Sequence, residues 1–454
     1  MEGEPNMSIK AKVQISGALF SPEPVVAISR GNVKKWKIPG KITVQFGTFK
    51  HTATVLTAQK LDGLRINSQL AQSTGLWPGA CVRMKYVPAS RTLRLGPLVG
   101  VLMPRNGKSS VFGNNTMFCQ ELSEAGEKYG GCFYFFTPGD IPASANSVHG
   151  WFYHKGWHRA SFPFPDIVYN RLTSRKTENN PSVQHFLREV KSKGGQVFNE
   201  RFLDKTEVFQ LLRNNAAIRP YLPESHTFGN FAMLKNMCRK YPAVFLKPVR
   251  GSLGKGIIRI IRKTGGGYAC QYSAVNGTRT RNFATLSQLY QSISGKLKRN
   301  RYQIQQGLQL IEAGKRPMDF RALVQKNQTG EWQVTSIVAR IAGNQHFVSN
   351  LARGGTLSHA KEALNQSNLG KSKAGVVYQK LKHASLTIAK ALENQVHDHF
   401  GELGIDLAVS KSGRVWLLEV NSKPSKHDNT PLSDKKIRPS VKQLVQYCRH
   451  LARL

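Results

Sequence analysis

GIDLAVSKSGRVWLLEVN, residues 404–421, reads as two short strands joined at Ser412-Gly413, a Gly-containing pair typical of tight hairpins. A two-residue turn there sets Asp406 directly opposite Glu419, with Cβ atoms ~4.5–5.5 Å apart on one face. Asn421 lies two residues beyond Glu419 and shares that face. The opposite face then carries Ile405, Leu407, Val409, Trp416, Leu418 and Val420, a core-facing set.

Two carboxylates placed opposite each other repel unless something neutralises them. A hard divalent cation does so, and the oxygens of Asp406, Glu419 and Asn421 are suitable donors for Mg²⁺, which completes its shell with water and substrate phosphates. A solvated strand face bearing two acids, or a salt-bridged pair, is the plainer alternative.

Upstream, AVFLKP (243–248) and IIRIIRK (257–263) flank the loop VRGSLGKG (249–256). A P-loop needs GxxxxGK followed by Ser or Thr and a helix. Here Gly256 follows Lys255, two residues separate Gly251 from Gly254, and the next segment alternates like a strand. The Rossmann fingerprint fails for the same reason. A glycine-rich hairpin loop of this kind offers unobstructed backbone N–H groups to phosphates. Arg250 and Lys255 add charge beside it, and Lys247 ends the preceding strand as a point-charge phosphate ligand. Without a ligand, the same segment is an ordinary hairpin loop with surface lysines.

The rest of the chain supplies three regions. Residues 1–95 hold KVQISGALF, VVAISRG, KITVQFGTF, HTATVLTAQ and CVRMKYVP, short strands spaced by Gly and Pro. One short helix fits LRINSQLAQSTGLWPG, with Ser68 as its N-cap. GPLVGVLMP (96–104) is a continuous apolar run, as in a buried parallel strand. Helical patterns at 115–129 and 181–194 alternate with the strands CFYFF and DIVYNR, predicting an α/β unit over 96–200. From 201 to 454 the pattern is α+β: a helix in DKTEVFQLLRNN, another near 285–298, the strand YQIQQ, the pair DFRALVQ and WQVTSIVARI, and a long helix near 374–400.

The 454 residues include 66 Lys plus Arg against 26 Asp plus Glu, a net charge of +40. The excess peaks in 201–300, with 18 bases against 3 acids, yet no five bases run together as in a nucleic-acid-binding tail. Dispersed charge on a folded chain attracts anionic partners over distance. No stretch approaches the ~18–20 apolar residues of a membrane helix. MEGEPNMSIK carries acids where a signal peptide carries bases. The six cysteines lie far apart without a CxxC pair, which disfavours a disulfide framework or a zinc site. These features predict a multidomain globular protein of a reducing compartment.

In order along the chain, Asp204-Lys205, Lys247, Arg250 to Gly256, Gln306 to Leu308, Asp319 with Arg321, Arg340, Asn350, Gly354-Gly355, Asp406, Glu419 and Asn421 resemble the ATP-grasp superfamily. With VYNR, FLDK, YQIQQG, DFRALVQ, ARGGT and RLGPLVGVL, nearly the whole length is similar to the endospore coat-associated YheC/YheD family of Bacillus-like bacteria. The resemblance implies an ATP-grasp fold preceded by an α/β pre-ATP-grasp domain and a small β-rich domain. It implies ATP between two α+β subdomains, with Lys205 and Lys247 on its phosphates. Arg250, Gly251, Ser252, Gly254, Lys255 and Gly256 would close over them, and Gln306 and Leu308 would present hinge backbone to adenine. The family's hinge carboxylate is missing from QQGLQL, with Glu312 further on; Gln305 and Gln306 otherwise read as an edge-strand polar pair.

The implied chemistry is phosphoryl transfer to a substrate carboxylate, followed by attack of an amine or thiol. Two Mg²⁺ ions on Asp406, Glu419 and Asn421 would supply positive charge, Lys247 would assist, and Arg340 and Arg321 would act at the substrate. Arg321 has the alternative of a structural pair with Asp319. The expected partner is a carboxylate-bearing acidic molecule, a peptide or coat protein, rather than nucleic acid, in the mother-cell cytoplasm or at the coat. A coat-associated structural or binding protein that keeps a nucleotide-binding ATP-grasp fold without ligase turnover is the other function these residues allow.

Overall fold

The computed structural model describes residues 8–17, 19, 21–105, 112–142, 147–249, 256–274, 277–343, 354–426 and 437–454. A closed seven-stranded barrel comes first, in the order Ile9–Ile15, Leu64–Ile66, Val25–Ser29, Phe49–Ala58, Lys41–Phe46, Thr92–Gly96 and Cys81–Val87. Strand alternation explains its filling: Ile42, Val44 and Phe46 point inward while their neighbours stay wetter. The short helix Ser68–Thr74 is capped by Asn67, not by Ser68. Asn67 is the better cap because its buried amide serves two ends at once. Its Oδ1 accepts from Leu70 N and Val25 N, both at 3.2 Å, and its Nδ2 donates to Glu23 O at 2.8 Å.

The apolar run 96–104 becomes the strand Leu98–Leu102, buried throughout and paired in parallel with both Cys132–Phe136 and Ile167–Asn170. Gln196–Phe198 extends this sheet on one side, and Ser147–Tyr153 with Trp157–Pro163 on the other. The barrel shares a core with one face of the sheet and with helix Pro181–Ser192. The other face is covered by helix Thr116–Tyr129 and, unexpectedly, by the last helix, Pro439–Ala452. Its Val441, Leu444, Val445 and Tyr447 pack with Val99, Val101, Phe133 and Phe135.

A third, antiparallel sheet runs Ser225–Thr227, Tyr302–Gln306, Ala243–Pro248, Ile258–Arg262, Tyr268–Ala274 and Gly277–Phe283. Helices Phe231–Lys240 and Leu286–Arg299 cover it. The latter starts at a capping box of Thr285 and Gln288. Tyr302–Gln306 lies between two strands, so Gln305 and Gln306 are not an edge pair; neighbours take up their amides.

The fourth sheet is antiparallel: Thr356–His359, Trp332–Ile341, Arg316–Lys326, Glu402–Val409 and Val415–Asn421. Helix Lys371–Gln395 lays Val377, Leu381, Ala384, Ile388 and Leu392 against it, an apolar stripe at helical spacing. Phe320, Ala322, Ile405 and Leu407 face that helix. Asp319, Arg321 and Asp406 therefore emerge on the opposite face. No helix among the described residues is long and apolar enough to cross a membrane.

Candidate functional site

The 404–421 hairpin reaches its expected pairing by an unexpected route. Ser410 N bonds Arg414 O at 2.9 Å, so the turn has three residues, Lys411 to Gly413, and Gly413 takes φ +79. That length shifts the register next to the turn: Val409 faces Val415, Ala408 faces Trp416 and Leu407 faces Leu417. An irregularity then leaves Leu418 without a partner, and Asp406 faces Glu419 and Gly404 faces Asn421 as expected. One extra residue in the turn is offset by one extra residue in the strand. The core face is corrected accordingly. Val415, Leu417 and Val420 enter the core, whereas Trp416 and Leu418 do not. Trp416 instead lies under the Arg414 guanidinium, 3.8 Å from the ring centre.

Asp406 sits in a buried network on the sheet face away from the long helix. Arg321, its register partner on Arg316–Lys326, grips it with two N–H groups, one at 3.0 Å. Arg340 Nη2 reaches the same carboxylate at 3.1 Å and gives its Nε–H to Asp319 at 2.6 Å. The expected alternative, an Arg321–Asp319 pair, is thus replaced by crossed pairs: Asp319 faces Arg340 in register, and Arg321 faces Asp406. Burial raises the Asp406 pKa, but Arg321 and Arg340 outweigh it and hold the carboxyl down to about 2. Burial likewise opposes the Arg340 cation, and Asp319 and Asp406 overturn that, raising its pKa above the ordinary value.

Lys247 projects from Ala243–Pro248 and bonds the Gln305 amide oxygen, while Gln305 Nε2 donates to Ser225 Oγ at 2.8 Å. Gly256 takes φ +74 beside Pro248, with its carbonyl 3.4 Å from Tyr302 Oη. Gln306 N donates to Glu224 O at 2.8 Å, and Gly307 N to Ala243 O at 2.9 Å; Leu308 is half-buried beyond them. The connection continues to the acidic hairpin, where Ile311 N meets Val409 O at 2.9 Å and Lys411 N meets Gln309 O at 3.1 Å. This connection is therefore fastened to both sheets. Lys205 opens the helix Lys205–Arg213. The Lys205 side chain, Arg250, Gly251, Ser252, Gly254, Lys255 and Asn350 lie outside the described residues.

As to a metal, Asp406, Glu419 and Asn421 bring oxygen donors only, the chemistry a hard cation needs, and Asp406 stays ionised down to about pH 2. Its oxygens accept from arginines, yet a carboxylate offers about four lone-pair sites. The donor set fits Mg²⁺ completed by substrate oxygens. Among the described residues, no group of three or more His, Cys, Asp or Glu is placed to hold an ion.

Sequence reading missed a second buried network beside the hairpin. Glu402, fully buried at the start of its strand, accepts from Tyr169 Oη, from Arg171 at 3.4 Å, from Gln325 at 3.1 Å and from Lys426 at 2.5 Å. Lys423, just past Ser422, bonds Glu178 at 3.1 Å and Asn170 O at 2.9 Å. Asn199, at φ +53, fastens both ends of the hairpin by donating to Glu402 O at 3.1 Å and Ser422 O at 2.5 Å. Burial depresses the lysines, to about 7 at Lys423 and about 8 at Lys426, against the pull of Glu178 and Glu402. Charged residues inside VYNR and NSKPSK were the available signal.

Comparisons with known proteins agree with the residue pattern. A family model described as YheC/D like ATP-grasp matches residues 194–451, more than half of the chain. The Endospore coat-associated protein YheD of Bacillus subtilis (strain 168) is 30% identical over 346 residues, 74% of this chain and 74% of that protein. YheC of the same organism, also described as endospore coat-associated, is 24% identical over 338 residues, 73% of this chain and 90% of that protein. Among solved structures, ATP-grasp ligase PsnB complexed with minimal precursor overlaps 78% of this chain and 99% of that chain. Its identity is 15% and its TM-score 0.47, too loose to bear on the site. The matched span holds the hinge, the crossed arginine pairs and the acidic hairpin, and the chain belongs to the YheC/D-like ATP-grasp family.

Proposed function

We propose that the chain is an ATP-dependent ligase joining a carboxylate to an amine or thiol. The observation carrying this reading is the pairing of Asp406 with Glu419 on a sheet face that also holds the buried Arg321 and the largely buried Arg340. An architectural sheet has no need of such a concentration of charge. In this reading residues 1–95, 96–200 and 201–454 are the β-rich, pre-ATP-grasp and ATP-grasp domains.

Lys205, Lys247 and the loop from Arg250 to Gly256 bind the phosphates of ATP, and the hinge at Gln306 and Leu308 meets adenine. Asp406, Glu419 and Asn421 would hold Mg²⁺, whose charge offsets that of the transferring phosphoryl group. An oxygen of the acceptor carboxylate attacks the γ-phosphorus, ADP leaves, and an acyl phosphate results. The amine or thiol then attacks the acyl carbon, losing its proton as inorganic phosphate departs. Arg340 spends N–H donors on Asp319 and Asp406, but a guanidinium has five, so donors remain for the acceptor carboxylate. Arg321 keeps Asp406 ionised and oriented. The acceptor is an acidic molecule, a peptide or coat protein, and the place of action is the mother-cell cytoplasm or the forming coat.

ADP release over a panel of acids and amines tests this directly. Glu419→Ala and Lys247→Ala are each expected to lower turnover at least a hundredfold; turnover that survives both sinks the site assignment. One observation favours a second reading, a coat-binding protein without turnover: Asp406 is already neutralised by Arg321 and Arg340. Calorimetry with ATP and Mg²⁺ beside the ADP-release assay separates the two, since binding without turnover, or no binding at all, leaves the second.

A further inference from the structure

Residues 201–300 contain only three acids, and neighbours claim each one. Asp204 pairs with Arg175 at 3.1 Å, Glu207 with Arg201 at 2.7 Å, and Glu224 with Lys240 and with His226 at 3.2 Å. The 18 bases of this segment are therefore left largely uncompensated from within it. Part of that charge gathers where helix Leu286–Arg299 ends. Lys298, Arg299 and Arg301 are exposed and border a cavity of about 330 Å³ whose lining, among the described residues, contains no acid. Phe228, Tyr290 and Tyr302 supply its aromatic wall.

Cations in a last helical turn ordinarily offset the helix dipole. That explanation is too small here, because the dipole presents only about half a negative charge. Lys296, Lys298 and Arg299 already exceed it, and Arg301 lies beyond the helix. Two lining residues also bond Val249 and Gly256: Val249 N donates to Arg301 O at 2.9 Å, and Tyr302 Oη meets Gly256 O at 3.4 Å.

We propose that this groove docks an acidic polypeptide segment, with closely spaced Asp or Glu carboxylates on Lys298, Arg299 and Arg301. An aromatic or aliphatic side chain of the segment rests against Phe228 and Tyr290. A single-stranded nucleic acid fits less well, because it needs free ring faces for stacking. Tyr290 is packed on Phe231 at 5.0 Å between ring centres, and Tyr302 is buried. The site lies outside the proposed catalytic residues and requires no turnover, so its test is independent of the ligase reading.

Fluorescein-labelled octaglutamate, titrated with the full chain without nucleotide and followed by anisotropy, is the probe. Reversal of Lys298, Arg299 and Arg301 to Glu should weaken binding at least tenfold. The same reversal of Lys34 and Lys35, exposed on the helix Arg30–Trp36 between barrel strands, and of Lys50, exposed on a barrel strand, should weaken it less than threefold. The neutral pair Lys298→Ser with Arg299→Ser, which adds no like-charge repulsion, should weaken it at least threefold. Equal loss in the groove and barrel variants would overturn the proposal, because net charge alone would then explain binding. So would tighter binding of a single-stranded oligonucleotide of matched charge.

Discussion

Asp406 lies in reach of two guanidinium groups, and its response to acid follows from that. Its carboxyl is held at about 2 against an ordinary 3.8. The folded state thus takes up the proton less readily than the unfolded chain. The contribution is fully present above about pH 4 and is lost as pH falls toward 2, an effect of about 2 kcal/mol at 1.36 kcal/mol per unit. Asp406→Asn removes the charge from a buried pair and should cost about 3–5 kcal/mol at neutral pH. In urea unfolding, the difference between wild type and variant should shrink by about 2 kcal/mol between pH 5 and pH 2. A difference independent of pH would mean that the arginines do not set its ionisation. The residue type and its partner Glu419 were legible from alternation. Arg321 and Arg340 were named through the resemblance, but their pairing was not legible, because which of Asp319 and Asp406 each one meets depends on register across three strands.

Elements explain why a wrong turn still yielded the right pair. Sequence marks a Gly-containing turn but does not say whether two or three residues make it, and a one-residue change moves every partner and face. The bulge at Leu418 undoes the shift for Glu419 and Asn421, while Trp416 and Leu418 end on the face opposite to that expected. The hinge has a similar hidden constraint. A Cβ on Gly307 would lie 2.6 Å from the Ala243 carbonyl oxygen, a backbone atom that cannot swing aside. Gly307→Ala must therefore part the hinge from its strand, at about 1–3 kcal/mol as for other overpacked sites. A lower melting temperature in calorimetry is the expected result, and, on the proposed assignment of Gln306 and Leu308 to adenine, weaker ATP binding with it. An unchanged melting temperature would show that the strand yields freely.

At the scale of the whole molecule, the second and fourth sheets meet through buried charge. Glu402 and Glu178 face Arg171, Lys423 and Lys426, so the junction holds two carboxylates and three cations. Tyr169 and Arg171 belong to VYNR, while Glu402 stands more than 200 residues later. No local period links them, which is why the junction could not be read from sequence. The imbalance predicts an asymmetry between two substitutions. Glu402→Gln leaves one carboxylate against three buried cations and should cost about 3–5 kcal/mol. Lys426→Met leaves two against two, with Arg171 still 3.4 Å from Glu402, and removes a cation that burial already disfavours. Its cost should stay below that of Glu402→Gln, because Glu402 keeps Arg171 as a buried partner. The depressed Lys426 carries the same sign: the unfolded chain binds its proton more tightly, so the penalty is full below pH 8 and is relieved as pH rises toward 10.5. The gap between wild type and Lys426→Met should therefore move in favour of wild type from pH 7 to pH 10. Denaturant unfolding of both variants at both pH values decides the matter, since equal costs for Glu402→Gln and Lys426→Met would mean that the third cation is needed rather than surplus.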